Sequence, residues 1–455
     1  MNLNSICKLK YKNLFSSFKG GIHPPDFKEI TKSKNIINLP APDILTFPLL
    51  QHTGAPASPC IAVGDSVLMG QKIAEASGNI SANVHSSVSG KVLDIKPVLH
   101  YTGQLVESIV IENDRLDTPI VDLKKFDYNN LLPEDIINIV KEAGIVGMGG
   151  AAFPTHIKLS PPQDKKIDSL IINGAECEPY LTADYRLMME YPQDIILGLK
   201  ILMKIFSLKS SYIAVELNKP EAISLLNECL KDENDTEIKI VPLAAKYPQG
   251  SEKQLIYSVV KKRVPKGKLP MDVGAVVINI ATCAEIARAV RDGMPLIKRI
   301  VTVAGDCIAN PSNFYVRIGT PVSYLLEKCG GFTKDAEKII MGGPMMGTAL
   351  SSVDVAVVKG TSGILALSED FSDILYTDET CLRCGKCVNV CPMNLLPNVL
   401  KKNANADNFE MLEKLNINEC IECGSCSYIC PAHQHPVQSI RTGKIKMKNK
   451  AQKGE

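Results

Sequence analysis

Cys381-Leu-Arg-Cys384-Gly-Lys-Cys387-Val-Asn-Val-Cys391-Pro392 and Cys420-Ile-Glu-Cys423-Gly-Ser-Cys426-Ser-Tyr-Ile-Cys430-Pro431 repeat one arrangement, with 28 residues between Cys391 and Cys420. Three thiolates at intervals of three can wrap one corner of a cubane iron–sulfur cluster. The fourth, displaced by a further residue and followed by proline, points to the opposite cluster. The spacing therefore assigns one [4Fe–4S] cluster to Cys381, Cys384, Cys387 and Cys430. A second takes Cys420, Cys423, Cys426 and Cys391. Structural zinc also uses Cys-x-x-Cys, but usually as two separated pairs rather than triplets ending in Cys-Pro. Within the connection, Phe409-Glu-Met-Leu-Glu-Lys-Leu reads as a helical insertion.

Outward from this segment, the composition is that of an ordinary globular chain. Its 455 residues carry 51 Lys+Arg against 49 Asp+Glu, a formal net charge of +2. That balance lacks the electrostatic footprint of a nucleic-acid binder. The length suggests about three domains. No stretch approaches ~18 uninterrupted apolar residues; the best, Val273 to Ala284, already contains Gly274, Asn279 and Thr282. The start, Met1-Asn-Leu-Asn-Ser-Ile-Cys-Lys-Leu-Lys, has no apolar core ahead of a cleavage site, so no signal peptide is expected. Eight cysteines crowded into one segment of a chain with reduced thiols favour metal ligation over disulfides. The other seven (7, 60, 177, 229, 283, 307 and 329) lack ligand spacing and read as small buried hydrophobes.

The pattern predicts a multidomain α/β chain. Up to about residue 118, short alternating strands are punctuated by Gly and Pro. From Pro133, helices alternate with apolar runs suited to buried parallel strands: Leu170-Ile-Ile-Asn, Tyr212-Ile-Ala-Val, Ile238-Lys-Ile-Val and Ala275-Val-Val-Ile. From Arg299 to Met346 the rhythm is strand, strand, helix, strand. Arg441, Lys444, Lys446, Lys448, Lys450 and Lys453 then make a basic end, read as a solvated tail.

A glycine cluster, Gly144-Ile-Val-Gly147-Met-Gly149-Gly150-Ala-Ala-Phe-Pro154, contains a formal dinucleotide fingerprint, but a helix precedes it and Pro154 stands where the phosphate-capping helix should continue. Alone it is weak, and a plain turn is the competing reading. Such a loop can offer bare backbone N–H groups to a phosphate, with Lys158 adding charge. Asn173-Gly-Ala-Glu176-Cys-Glu178-Pro, Tyr247-Pro-Gln-Gly250-Ser-Glu252 and Asn279-Ile-Ala-Thr282 all leave strand ends, the edge where open α/β sheets bind ligands.

In this order these motifs resemble the NADH- and FMN-binding subunit of respiratory complex I. With Phe18-Lys-Gly-Gly-Ile-His-Pro-Pro at the start and the double cysteine run at the end, the chain from about Phe18 to Gln438 resembles the C-subunit family of Rnf/Rsx ion-translocating electron-transport complexes. The resemblance implies that Gly147, Gly149, Gly150 and Lys158 approach the flavin phosphate and ribityl chain. It places Asn173 and Glu176 by the isoalloxazine ring and Glu178 near the nicotinamide, making Glu176 and Glu178 the pair nearest the chemistry. Tyr247, Gly250 and Glu252 line the opposite wall, and Asn279 and Thr282 close the phosphate end. Met148, Ala175, Ser251 and Ile278 depart from the complex I pattern, replacing Arg, Asp, Glu and Asn.

The implied cofactors are FMN, loosely held, and two [4Fe–4S] clusters, with NADH as substrate. NADH delivers a hydride whereas each cluster takes one electron, and a flavin joins the two chemistries. The implied partners are integral membrane and other subunits of the complex, on the cytoplasmic face of the cell inner membrane, with electron flow driving ion translocation. In the Rsx setting the same flow keeps a redox-sensing transcription regulator reduced. A non-catalytic iron–sulfur adaptor with a degenerate flavin domain is the alternative, and a structural zinc protein on a lipoyl-like module a more remote one.

Ile61-Ala-Val-Gly-Asp-Ser-Val-Leu-Met-Gly-Gln-Lys and Val84-His-Ser-Ser-Val-Ser-Gly-Lys resemble biotinyl and lipoyl domains. No lysine occurs between Ile73 and Gly90, so the fold is expected without the attachment chemistry. His23, His52, His85 and His100 lack ligand spacing, and Met341, Met345 and Met346 read as packing residues. The expected division is an N-terminal segment (1–30), a lipoyl-like barrel-sandwich hybrid module (31–120), a Rossmann-like FMN/NADH-binding α/β domain (128–296), a soluble-ligand-binding β-grasp unit (297–350), a two-cluster ferredoxin-like α domain (370–438) and the basic tail (439–455).

Overall fold

The computed structural model describes residues 16–121, 123–233, 235–371 and 380–453. Cys7, the start expected to lack a signal peptide and the last two residues of the basic tail lie outside them.

Near the N-terminus two small sheets face each other. One is antiparallel in the order Ile44–Pro48, Leu105–Asn113, Gly90–Leu99, Ser66–Val67; the other runs Ser58–Pro59, Lys72–Glu75, Val84–His85. Leu45, Phe47, Ile73, Val84, Ile109 and Ile111 are fully buried in their shared core. This is the alternation expected of paired sheets with one face each turned inward.

The central domain is a parallel sheet of β1 (Ser169–Gly174), β2 (Ser211–Glu216), β3 (Ile238–Leu243) and β4 (Ala275–Asn279), in the order β3-β2-β1-β4. The chain builds outward from β1 through β2 to β3, then returns to place β4 on the other side of β1. The crevice between the C-terminal ends of β1 and β4 is therefore a topological switch point, where sheets of this kind bind ligands. Helices α1 (Pro133–Glu142), α2 (Pro192–Phe206), α3 (Glu252–Val260) and α4 (Ile280–Asp292) cover the sheet. Gly198 lets α2 and α4 touch: a Cβ there would lie 2.0 Å from the Cys283 carbonyl oxygen.

Next comes a six-stranded mixed sheet, ordered Ile36–Asn38, Ser312–Arg317, Lys298–Ala304, Gly363–Leu367, Lys338–Met341, Thr348–Ala349, with the helix Val322–Lys328. Two of its strands come from outside the 297–350 stretch expected to form this unit. Gly363–Leu367, buried throughout, sits mid-sheet, and Ile36–Asn38 adds an edge from a segment grouped by sequence with the barrel sandwich. Such short runs reveal that they are strands but not which sheet they join.

The cysteine segment is helical. Lys386–Val390 and Ser425–Tyr428 each carry the third cysteine of a triplet, Cys387 and Cys426, and the connection holds Pro397–Asn405 and Phe409–Lys414. Leu395, Leu400, Ala404, Leu412, Ile417 and Ile440 form its core. The basic end, expected as a solvated tail from 439, is instead the continuous helix α5 (Pro436–Lys453), which runs through position 438 and packs on Pro397–Asn405. Lys444 donates to the Cys420 carbonyl oxygen (2.6 Å) and to Glu422 (2.8 Å), Arg441 to Glu422 (2.8 Å), and Lys446 pairs with Asp407 (2.7 Å). These three cations and the packing on Pro397–Asn405 tie the helix to the domain. Among the described residues no helix is long and apolar enough to cross a membrane.

Candidate flavin pocket and iron–sulfur centres

The two cysteine quartets surround two separate cavities. Cys381, Cys384, Cys387 and Cys430 line one; Cys391, Cys420, Cys423 and Cys426 line the other. Each cavity thus takes its fourth sulfur from the other repeat. The repeats share a backbone device: Arg383 and Glu422, and Gly385 and Gly424, occupy matching positions with positive φ (54° and 55°, 74° and 77°). This turn brings successive sulfurs to one side. Burial and the neighbouring sulfurs raise the Cys420 thiol to about 11 and push Cys426 higher still. Four thiolates so placed need the positive charge of bound metal, so the donor set fits an iron–sulfur cluster. Backbone amides reach the sulfurs as well, Leu395 N to Cys391 Sγ (3.3 Å) and Glu422 N to Cys420 Sγ (3.4 Å).

The two cavities differ in depth. Cys423 and Cys426 are buried, whereas Cys381 and Cys384 are exposed. Cys423 packs with Ile22 and Tyr247, beside Cys177, Met345 and Val390. The inner quartet therefore abuts the end of the central domain that carries Asn173 and Asn279, and the outer quartet faces away. Lys253 and Glu419 (3.0 Å), and Gln254 Nε2 to the Pro392 carbonyl oxygen (3.1 Å), fasten α3 to the cluster domain.

At the switch point Asn173 and Asn279 are register partners on β1 and β4. Asn279 caps α4, its Oδ1 accepting from Ala281 N (3.0 Å) and Thr282 N (3.3 Å), while its Nδ2 donates to Asp184 (2.8 Å). The glycine loop crosses in front of this helix start. A Cβ on Gly149 would lie 3.3 Å from Asn279 Cβ, whereas Gly150, at φ +118°, would meet nothing within 4 Å. Gly149 and Gly150 are exposed, with Gly147 half-buried behind them. Bare backbone beside a helix N-terminus fits a phosphate-bearing group. Thr282 Oγ1 accepts from Met148 N (2.8 Å) and is buried, so it secures the loop from within.

The wall residues fall into two sets. Lys158 and Glu252 pair at 2.6 Å on the open side, and Lys158 also donates to the Val277 carbonyl oxygen (2.9 Å). Asn173 Nδ2 donates to the Gly250 carbonyl oxygen (2.8 Å). The remaining three are enclosed. Glu176, at φ +46°, accepts from Asp184 N (2.7 Å) and Tyr185 N (3.3 Å), with Lys28 Nζ at 4.0 Å. Glu178 accepts from Met345 N (3.0 Å) and from the hydroxyl of Tyr247 (3.4 Å), itself 1% exposed. Burial raises both carboxyls to about 7, against the opposing pull of Lys28 on Glu176 and of the Met345 amide on Glu178.

Sequence reasoning missed Asp184, Lys28 and Lys219; Met345, read as a packing residue, does pack beside Tyr247 but also gives its backbone N–H to Glu178. Lys28 Nζ donates to the Glu178 carbonyl oxygen (2.9 Å), and Lys219 to that of Ala175 (2.6 Å) and to Glu216 (3.4 Å). Both lysines shape the 173–178 turn from distant segments, and no local spacing marks them.

Comparison with known proteins matches these parts in turn. Residues 16–116 match an RnfC barrel sandwich hybrid domain, 140–288 a Nuo51 FMN-binding domain, 300–349 an SLBB domain and 373–449 a 4Fe-4S dicluster domain. The C subunit of the proton-translocating ferredoxin:NAD(+) oxidoreductase complex of Clostridium ljungdahlii is 46% identical over 96% of this chain and 95% of its own length. The C subunit of the Na(+)-translocating complex of Acetobacterium woodii is 44% identical, over 96% and 98%. The chain belongs to this RnfC family. Another relative, the C subunit of the ion-translocating oxidoreductase complex of Rhodobacter capsulatus, is 42% identical over 92% of this chain and 80% of its own. Two crystal structures of an NAD+-reducing [NiFe]-hydrogenase, air-oxidized and H2-reduced, align with TM-scores of 0.49 and 0.47 at 18% and 16% identity. They cover 68% and 70% of this chain and 61% of theirs. As an RnfC-family chain it is an oxidoreductase-complex subunit with FMN and [4Fe–4S] clusters as cofactors, held in its FMN-binding and dicluster domains.

Proposed function

We propose that this chain exchanges electrons with NAD(H) at the β1/β4 crevice and relays them through the inner and then the outer cysteine quartet to membrane-bound partner subunits, on the cytoplasmic face of the inner membrane. Ion translocation is then the partners' share of the same reaction, and keeping a redox-sensing regulator reduced is a further role the family resemblance suggests. The observation that carries the relay is placement: Cys423 packs on Tyr247, whereas Cys381 and Cys384 lie at the surface.

The residues divide the work. Gly149 and Gly150, with the start of α4, hold the flavin phosphate; Asn173 and Asn279 line the switch point; Glu178 and Tyr247 stand between the crevice and the inner quartet. A bound flavin supplies the exchange between a two-electron hydride and single electrons. In this reading the chain comprises a barrel sandwich, a flavin domain, a β-grasp unit that takes in Ile36–Asn38 and Gly363–Leu367, and a cluster domain that takes in the basic end.

Iron, sulfide and flavin content of anaerobically prepared protein, followed by paramagnetic resonance, tests this reading. Cys384→Ser is expected to leave NADH-dependent reduction of the inner cluster intact while blocking onward transfer. Cys423→Ser is expected to stop both. Normal onward transfer in Cys384→Ser, or protein with iron and sulfide that neither binds FMN nor oxidises NADH when FMN is supplied, sinks it; the second result favours the adaptor.

A further inference from the structure

Two buried basic side chains lie behind the glycine loop with no role in the relay: Arg299, 2% exposed, and Lys359, fully buried and lowered by that burial to about 7. Both fall outside the 140–288 span matched to the FMN-binding domain. Lys359 Nζ donates to the carbonyl oxygens of Gly144 (2.7 Å) and Asn83 (2.5 Å). Arg299 Nη2 reaches the Met148 carbonyl oxygen at 3.5 Å, and its Nη1 donates to the Lys359 carbonyl oxygen. The backbone from Gly144 to Met148, which leads straight into the open Gly149–Gly150 tip, is thus gripped at both ends by basic side chains, Arg299 from a strand of the neighbouring sheet and Lys359 from the turn that precedes another. A Cβ on Gly144 would lie 2.3 Å from the Asn83 carbonyl oxygen, so the first grip needs this glycine.

Among the described residues neither cation forms an ion pair with a carboxylate. Asp184 and Glu285 lie near enough to favour the charged form of Arg299, but Asp184 is bonded to Asn279 and Glu285 to Arg288. Burial prevails and lowers Arg299 to about 10, which leaves it charged at neutral pH. A buried guanidinium without a counter-ion is costly, and an anion nearby offsets that cost. The loop's own side chains, from Gly147 to Pro154, carry no charge.

We propose that Arg299 supplies, from behind the loop, the positive charge that favours the flavin phosphate, and that Lys359 holds the start of the loop in position for it. This rests on the reading of Gly149–Gly150 as the flavin phosphate site.

The test compares FMN with riboflavin, which lacks the phosphate, by quenching of flavin fluorescence on the full chain with its clusters in place. In Arg299→Gln, FMN affinity is expected to fall about tenfold or more, as for loss of a unit charge several ångströms away at an intermediate dielectric. Riboflavin affinity should stay within about twofold, because the term lost is the one between charge and phosphate. Arg299→Lys, which keeps the charge, should retain most of the preference for FMN. Parallel loss of both flavins in Arg299→Gln, or unchanged FMN binding, overturns the proposal. Should Arg299→Gln lose its iron and fail to fold, Arg299→Lys decides alone: loss of the FMN-over-riboflavin preference there also overturns it. Wild-type protein that binds neither flavin removes the underlying reading, and this inference with it.

Discussion

Glu178 is a carboxyl enclosed by groups that only the tertiary fold brings to it. Below about pH 7 it is neutral and above it anionic, because burial outweighs the amide and hydroxyl that donate to it. Beside the proposed nucleotide site, its charge opposes a polyanionic dinucleotide. NADH affinity is therefore expected to weaken as pH rises through about 7, and Glu178→Gln to remove that step while keeping the tight low-pH value. Titrating NADH binding between pH 6 and 8 checks this; an identical profile in the variant refutes it. Gly343 shows how tightly the carboxylate is enclosed: a Cβ there would lie 2.2 Å from Glu178 Oε2. Gly343→Ala should displace the 342–347 turn, costing on the order of 1–3 kcal/mol, read as a lower unfolding midpoint. The sequence marked Glu178 as belonging to a strand-end motif. Its burial was invisible there, because Met345 arrives from 167 residues away.

At the scale of elements, the N-terminal segment behaves as a strap. Gly21 N donates to the Val390 carbonyl oxygen (2.7 Å), and Ile22 bridges Tyr247 through paired backbone hydrogen bonds. The segment thereby ties the Lys386–Val390 helix to the flavin domain. Gly20 and Gly21 both sit at positive φ, and a Cβ on Gly21 would lie 2.5 Å from the Tyr247 carbonyl oxygen. Gly21→Ala is expected to release the strap and slow reduction of the inner cluster, with NADH-to-flavin transfer unchanged, as rapid mixing can resolve. Helix α5 shows the same logic at the other end of the chain. Lys444→Met removes bonds to the Cys420 carbonyl oxygen and Glu422, a loss of about 1 kcal/mol for a partly exposed pair, and should hasten oxygen-driven iron loss from the inner quartet. Absorbance decay in air measures it. Six basic residues in fifteen read as a solvated tail from composition alone; the acceptors of Arg441, Lys444 and Lys446 are Glu422, the Cys420 carbonyl oxygen and Asp407, which a linear reading does not bring together.

Across the whole molecule, the position of the cluster domain on α3 sets how near the inner quartet comes to the flavin crevice. Glu419 is central, bonded to Lys253 and to Gly267 N (2.7 Å). Glu419→Lys should weaken this docking by about 1 kcal/mol, since the pair is partly exposed, and uncouple flavin reduction from cluster reduction without affecting either cofactor's binding. Unaltered cluster reduction in that variant, followed by stopped-flow absorbance, would argue that docking is set elsewhere.

The amino-acid sequence by itself determined the two cysteine quartets, because their spacing is a local property of eight cysteines and two prolines, and each quartet lines a cavity of its own. It also determined the parallel sheet, because apolar runs separated by helices have few other ways to be buried, and it marked the strand-end motifs that converge at one edge. Tertiary structure alone decided which of these groups are open and which enclosed. It set the inner quartet against Tyr247, and it brought Arg299 behind the glycine loop from a sheet whose strands are scattered from Ile36 to Leu367, and Lys359 from a turn beside that sheet. Burial depends on what arrives from the other side of a residue: Met345 reaches Glu178 from 167 positions away, and Lys359 reaches Gly144 from 215.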